Sequence, residues 1–214
     1  MNNLFISLIV SLIVACAIPP RSSAEENGPS PEQALQRLLE GNARYVAAKA
    51  IHPDSRPSAA AQHPLAVVLS CSDSRVPPEI FFDQGVGSLF VVRAAGNTYD
   101  WLALESIQYA IANLGTRLIL VIGHDQCGAV SAAVKTYPDP SAGPMLKNIY
   151  PAVAATRAAP GDAVANAINE NAILVADRLA KEPALAHAIA AGELKILPAR
   201  YVLATGRVEI LSAR

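Results

Sequence analysis

No block of like charge runs along this chain: 17 Lys and Arg stand against 18 Asp and Glu, for a net charge of -1. Nucleic acid is bound through a concentrated basic surface, so this balance argues against such a partner. A small or neutral substrate fits better than a polyanion. Long hydrophobic runs are missing too, the run from Leu4 to Ala17 being too short for a comfortable membrane span. Internal repeats and low-complexity segments are absent, which argues for one domain. With 214 residues, 52% of them hydrophobic and 16% charged, that domain can bury a core. Cysteine is scarce, with three residues at Cys16, Cys71 and Cys127. A lone pair outside the leader raises the disulfide reading first, and only the surroundings of each cysteine decide against it.

Leu4 to Ala17 has the length of the apolar region of a secretory signal, closed by Pro19-Pro20-Arg21 and by Ser22-Ser23-Ala24, small residues suited to cleavage before Glu25. Residues 1–24 are therefore expected to be a signal peptide and 25–214 a single exported domain, periplasmic or extracellular. Met1-Asn2-Asn3 adds no Lys or Arg to the leader. Ile13-Val14-Ala15-Cys16 also resembles a bacterial lipobox, with a lipoprotein signal over 1–15. Only lipidation at Cys16 would bring this protein to a membrane.

Ser30-Pro31-Glu32 predicts a helix start, with Leu35, Leu38, Leu39 and Tyr45 along one face. Pro53 to His63 reads as a loop. Pro64–Ser70, Leu89–Val92 and Leu118–Ile122 are continuous apolar runs of strand length, as strands buried on both faces require. Trp101–Leu114 has helical spacing and a Gly115 stop. Tyr137–Pro144 is a Pro-rich loop, Asp162–Lys181 and Pro183–Ala191 are helices, and Lys195–Leu211 reads as a terminal hairpin around Thr205-Gly206. The expectation is an α/β fold: a mainly parallel central sheet flanked by helices, with an N-terminal helical arm and a C-terminal hairpin.

Two segments carry chemistry, Cys71-Ser72-Asp73-Ser74-Arg75 and Gly123-His124-Asp125-Gln126-Cys127-Gly128. Each begins where a predicted strand ends, at the edge of a parallel sheet where ligand sites form. Cys71, His124 and Cys127 make a donor set that prefers Zn²⁺, and three protein ligands leave a fourth position for water, as in catalytic zinc sites. Asp73 is close enough to act as a fourth ligand in a closed state. Paired with the planar fork of Arg75, it would instead orient the water, so Asp73 and Arg75 are the expected catalytic dyad. His52, His63 and His187 have no ligand context; His63 is read as a loop histidine.

These segments, with Val76-Pro77 after the first, resemble the β-class carbonic anhydrases, an exported bacterial type here. The likeness continues through Phe90-Val91-Val92-Arg93 and Ala95-Gly96-Asn97, and more weakly at Gly192-Glu193-Leu194-Lys195. It covers about residues 32–214, and it departs from many relatives at Ala94, where they carry Asn. The resemblance implies reversible hydration of CO₂ to bicarbonate and a proton through attack by zinc hydroxide, with one Zn²⁺ per subunit on Cys71, His124 and Cys127. It further implies substrate contacts from Gln62, from the backbone of Gly128, and from Phe90 and Tyr109 across a subunit boundary. A homodimer or a higher even-numbered assembly follows, with the helix from Pro31 to Tyr45 as the embracing arm. The rival expectations are a zinc hydrolase of CS₂ or COS on the same fold and a non-catalytic zinc-binding scaffold.

Overall fold

The computed structural model describes residues 28–51 and 61–212. The expected signal, Cys16 and His52 lie outside the described residues. Among them no helix is long and apolar enough to cross a membrane.

The first helix, α1 (Pro31–Val46), starts as the sequence indicates. The Ser30 hydroxyl accepts the Gln33 N–H while the Gln33 side chain reaches back to the Ser30 N–H, a capping box with Pro31 in the first turn. Strand β1 (Ala66–Ser70) is followed by a short helix, α2 (Pro78–Phe81), and by β2 (Leu89–Arg93). A 3₁₀ turn at Ala95–Asn97 leads to α3 (Trp101–Leu114), capped by Asp100 and stopped by Gly115 at φ 70°. Then come β3 (Leu118–His124), α4 (Gly128–Thr136), α5 (Pro144–Thr156), α6 (Ala163–Ala180) and α7 (Pro183–Ala190). Helix α5 contains Pro151, and an interior proline is what hides such a helix from a pattern-based reading.

The described strands form one sheet in the order β2-β1-β3-β4-β5, where β4 is Lys195–Val202 and β5 is Arg207–Ile210. The first four are parallel, and β5 alone runs antiparallel. The terminal hairpin is present, and its first arm does more than expected: β4 pairs with β3 from Leu118↔Lys195 to His124↔Tyr201. β1 and β3 are buried on both faces. β2 differs, because it is an edge strand in the single chain and is only half-buried.

Alternation along the strands divides the core in two. Ala66, Val68, Leu118, Leu120 and Ile122 face a cluster with Ala34 and Leu38 of α1, Phe81 of α2, and Val130 of α4. Val67, Leu69, Ile119 and Val121 face Ile107 of α3, Val175 of α6 and Leu185 of α7. Each fully buried Val, Leu, Ile or Phe among them contributes roughly 1.5–3 kcal/mol. α1 is thus seated on its own chain along its inner face. An embrace of a partner would use its outer face, where Leu35, Leu39 and Ala43 line an apolar groove of about 460 Å³.

Candidate metal centre

Adjacent parallel strands bring the two chemical segments together. Ser70 at the end of β1 is paired with Ile122 near the end of β3, so both strands open on one edge of the sheet. Cys71 follows β1 directly, His124 closes β3, and Cys127 stands at the cap of α4. Between the last two, Gln126 takes φ 54°, a left-handed turn that swings Cys127 back toward His124.

The ligand atoms of Cys71, His124 and Cys127 all lie within 4.8 Å of one another, and all three residues are buried. The two sulfurs are 3.9 Å apart. Two thiolates on one tetrahedral zinc, at Zn–S of about 2.3 Å, stand about 3.8 Å apart. His124 Nδ1 lies 2.8 Å from the Asp125 carbonyl, which places the proton on Nδ1 and leaves the Nε2 lone pair free. Nε2 is buried and has no hydrogen-bond partner. A buried polar atom is rarely left so, and a metal ion would satisfy it. The residues present therefore fit zinc.

The sulfurs are unequal without the ion. The hydrogen bond from Cys127 holds the Cys71 thiol well below the ordinary thiol range, with the Gly96 N–H at 3.3 Å helping. Cys71 and burial push Cys127 up in turn, so the pair shares one proton. Both are free thiols, 4% and 1% exposed.

Asp73 and Arg75 form the expected bidentate pair, Nε to Oδ1 at 2.9 Å and Nη2 to Oδ2 at 2.7 Å. The guanidinium holds the Asp73 carboxyl far below the usual carboxylate range. Asp73 Oδ2 is 3.9 Å from His124 Nε2, so the carboxylate borders the ligand cluster while both its oxygens belong to Arg75. The Arg75 Nη2 also reaches the Gln126 carbonyl at 3.5 Å, tying the two segments together.

Three further groups hold the site. Arg93, at the end of β2, donates from Nε to the Cys71 carbonyl at 2.9 Å and from Nη2 to the Asp73 carbonyl. Arg200 of β4 clamps the Asp125 carboxylate, Nε to Oδ1 at 2.6 Å, while the Asp125 backbone orients His124. Asn171 of α6 donates to the Gly96 carbonyl at 2.8 Å. Arg93 and Gly96 sit inside a motif the sequence displays, but their contacts follow only from the packing. Nothing in the alanine-rich run of α6 marks Asn171 except that it is polar on a face of otherwise apolar residues.

The substrate-contact residues are placed differently. Gly128 begins α4 beside Cys127, with open space where a side chain would stand. Gln62 is exposed before β1, and His63 and His187 are exposed as well. Phe90 packs with the cluster on the sheet face opposite Cys71 and Cys127, and Tyr109 is 51% exposed on α3. Neither aromatic reaches the metal cluster of its own chain.

Comparison with known proteins agrees with this geometry. A family model described as carbonic anhydrase matches residues 66–208. A carbonic anhydrase of Mycolicibacterium smegmatis is 40% identical over 197 residues, covering 86% of this chain and 94% of that protein. Carbonic anhydrase 2 of Mycobacterium tuberculosis is 40% identical over 190 residues, covering 83% and 91%. Among solved structures, a tetrameric β-carbonic anhydrase of Sordaria macrospora superposes with a TM-score of 0.66 at 23% identity over 85% of this chain and 98% of that one. The β-carbonic anhydrase CafA of Aspergillus fumigatus gives 0.68 at 23% identity over 86% and 91%. With its parallel sheet, its cysteine–histidine–cysteine cluster and these relatives, the chain belongs to the carbonic anhydrase family, in its β class.

Proposed function

We propose that this chain catalyses the reversible hydration of CO₂ to bicarbonate and a proton, using one Zn²⁺ per subunit held by Cys71, His124 and Cys127. The observation that carries this reading is the buried, partnerless Nε2 of His124 converging with two sulfurs 3.9 Å apart. Zinc bound there supplies a Lewis acid, which can bring the pKa of a water from about 15.7 to roughly 7. The remaining work belongs to the protein. Asp73, kept ionised by Arg75, accepts a hydrogen bond from the attacking water and orients its lone pair. Arg75 also occupies both oxygens of Asp73, so that exchanging the pair for direct ligation would close the site. The open space at Gly128 admits substrate close to the backbone.

The rest of the pocket comes from a second copy of the chain. β2 leaves a half-buried sheet edge, and on α3 Trp101 is 65% and Leu102 55% exposed beside Tyr109. Apolar exposure on that scale suits a subunit interface. A homodimer, or a larger even-numbered assembly, would bring Phe90 and Tyr109 to a neighbouring site, with Gln62 contacting bicarbonate. Residues 1–24 are proposed as an export signal ahead of a single domain, and intact mass of the secreted protein separates cleavage from lipidation at Cys16.

The test is stopped-flow CO₂ hydration on the protein as purified, after chelation, and after zinc is restored. Activity should vanish with the metal and return with it. Metal-loaded protein that hydrolyses CS₂ or COS and leaves CO₂ untouched would move the substrate; protein inactive on all three would leave a zinc-binding scaffold.

A further inference from the structure

The turn at Ala95–Asn97 touches the metal cluster directly, since the Gly96 N–H donates to Cys71 Sγ at 3.3 Å. The turn is not a relaxed one. Gly96 has φ 70° and Asn97 φ 45°, two successive left-handed residues, the second with a side chain. Such a conformation persists only where neighbours hold it. Two neighbours do. From α5, Ile149 stands so close that a Cβ on Gly96 would lie 2.7 Å from its Cδ1. From α6, the Asn171 amide donates to the Gly96 carbonyl at 2.8 Å.

Asn171 is 1% exposed and shares its helix face with Ala167, Ile168, Ala172 and Val175. Asparagine is a poor helix-interior residue, and a hydrocarbon would pack that face at least as well. What the amide provides is a donor for a buried carbonyl that otherwise has to turn elsewhere. That carbonyl shares its peptide plane with the Asn97 N–H, which donates to the Ala94 carbonyl at 3.0 Å and closes the turn, so turning it would open the turn that presents the Gly96 N–H to the sulfur.

We infer that Asn171 is a positioning residue that aims the Gly96 N–H at the Cys71 sulfur and so limits how much charge that sulfur donates to a bound metal. This rests on the metal centre proposed above. An N–H···S bond draws electron density from a thiolate, and partners of this kind behind a ligand tune metal affinity as well as orientation. Without Asn171 the sulfur donates more strongly and is less firmly placed.

The experiment uses the full mature protein loaded with cobalt(II). Asn171→Leu keeps similar bulk without the donor, and Asn171→Ser provides a second variant should the first fail to fold. Val175→Ala is the control, buried on the same helix in the core cluster on the other sheet face from Cys71. In both Asn171 variants the thiolate-to-cobalt charge-transfer band should move to lower energy. Zinc affinity by chelator competition should fall about 10-fold or more, while Val175→Ala leaves both in place. Asn171 variants with the unaltered band, or a Val175→Ala band displaced as far, overturn the inference and leave the metal centre standing. Cobalt taken up by the unmodified protein with no thiolate band removes the metal centre, and the role of Asn171 with it.

Discussion

Asp73 lies beside the ligand cluster with a full negative charge, because the Arg75 fork stabilises the carboxylate more than its partial burial opposes it. Asp73→Asn keeps the shape and removes the charge. The expected result is a loss of about 100-fold or more in kcat/KM for CO₂ hydration, with zinc content preserved. A variant with unchanged rate would show that the dyad is structural alone. Tyr201, beside His124 in register on β4, bears on stability instead. It is 3% exposed, and burial, with Tyr45 at 3.4 Å, raises its hydroxyl above the ordinary tyrosine value. The folded chain therefore keeps a proton that the unfolded chain gives up near pH 10. Its contribution is whole below that pH and is lost as pH rises further. Thermal unfolding from pH 8 to 11 should show Tyr201→Phe with a shallower alkaline decline than the unmodified protein.

Helix α1 is locked at its middle by two neighbouring residues. A Cβ on Gly41 would lie 1.8 Å from the Phe82 carbonyl oxygen, so the helix can approach the end of α2 only through glycine. Asn42, 5% exposed, donates to the carbonyls of Phe81 at 2.9 Å and Gly206 at 2.7 Å and accepts from the Val208 N–H at 2.9 Å. One side chain thus joins α1, α2 and the β4–β5 hairpin. Asn42→Ala strands two buried carbonyls and a half-buried N–H and should cost about 3 kcal/mol in urea unfolding. Gly41→Ala forces the helix outward and should cost at least about 2 kcal/mol. Neither residue touches the ligand cluster, so the metal stoichiometry of the folded fraction should stay at one per chain.

At the scale of the whole molecule, an edge strand and an exposed aromatic face belong to the same side of the sheet. Trp101 and Leu102 open α3, whose buried face packs against β2 and its neighbours, while their own side chains are exposed. Trp101→Glu combined with Leu102→Glu puts two charges on that surface. Sedimentation velocity should show the unmodified protein as a dimer or larger, as proposed, and the variant as monomers. On the proposed assembly CO₂ hydration should fall in parallel, Phe90 and Tyr109 being withdrawn from a neighbour's site. Monomers that keep full activity would place the whole pocket within one chain.

Much of this protein can be read without coordinates, because its information is local. Unbroken apolar runs announce β1 and β3, Ser30-Pro31-Glu32 announces the start of α1, and two short segments at strand ends announce a donor set that the fold gathers into one cluster. Donor chemistry is a property of residue type, and strand ends are where a parallel sheet collects its loops. The half-burial of β2, the long parallel pairing of β4 and the helix around Pro151 depend instead on which surfaces meet. So do the supports of the site. Arg93, Arg200 and Asn171 act on groups 22, 75 and 75 residues away, and no pattern in the chain couples such positions until packing removes water between them and makes each buried polar atom find a partner.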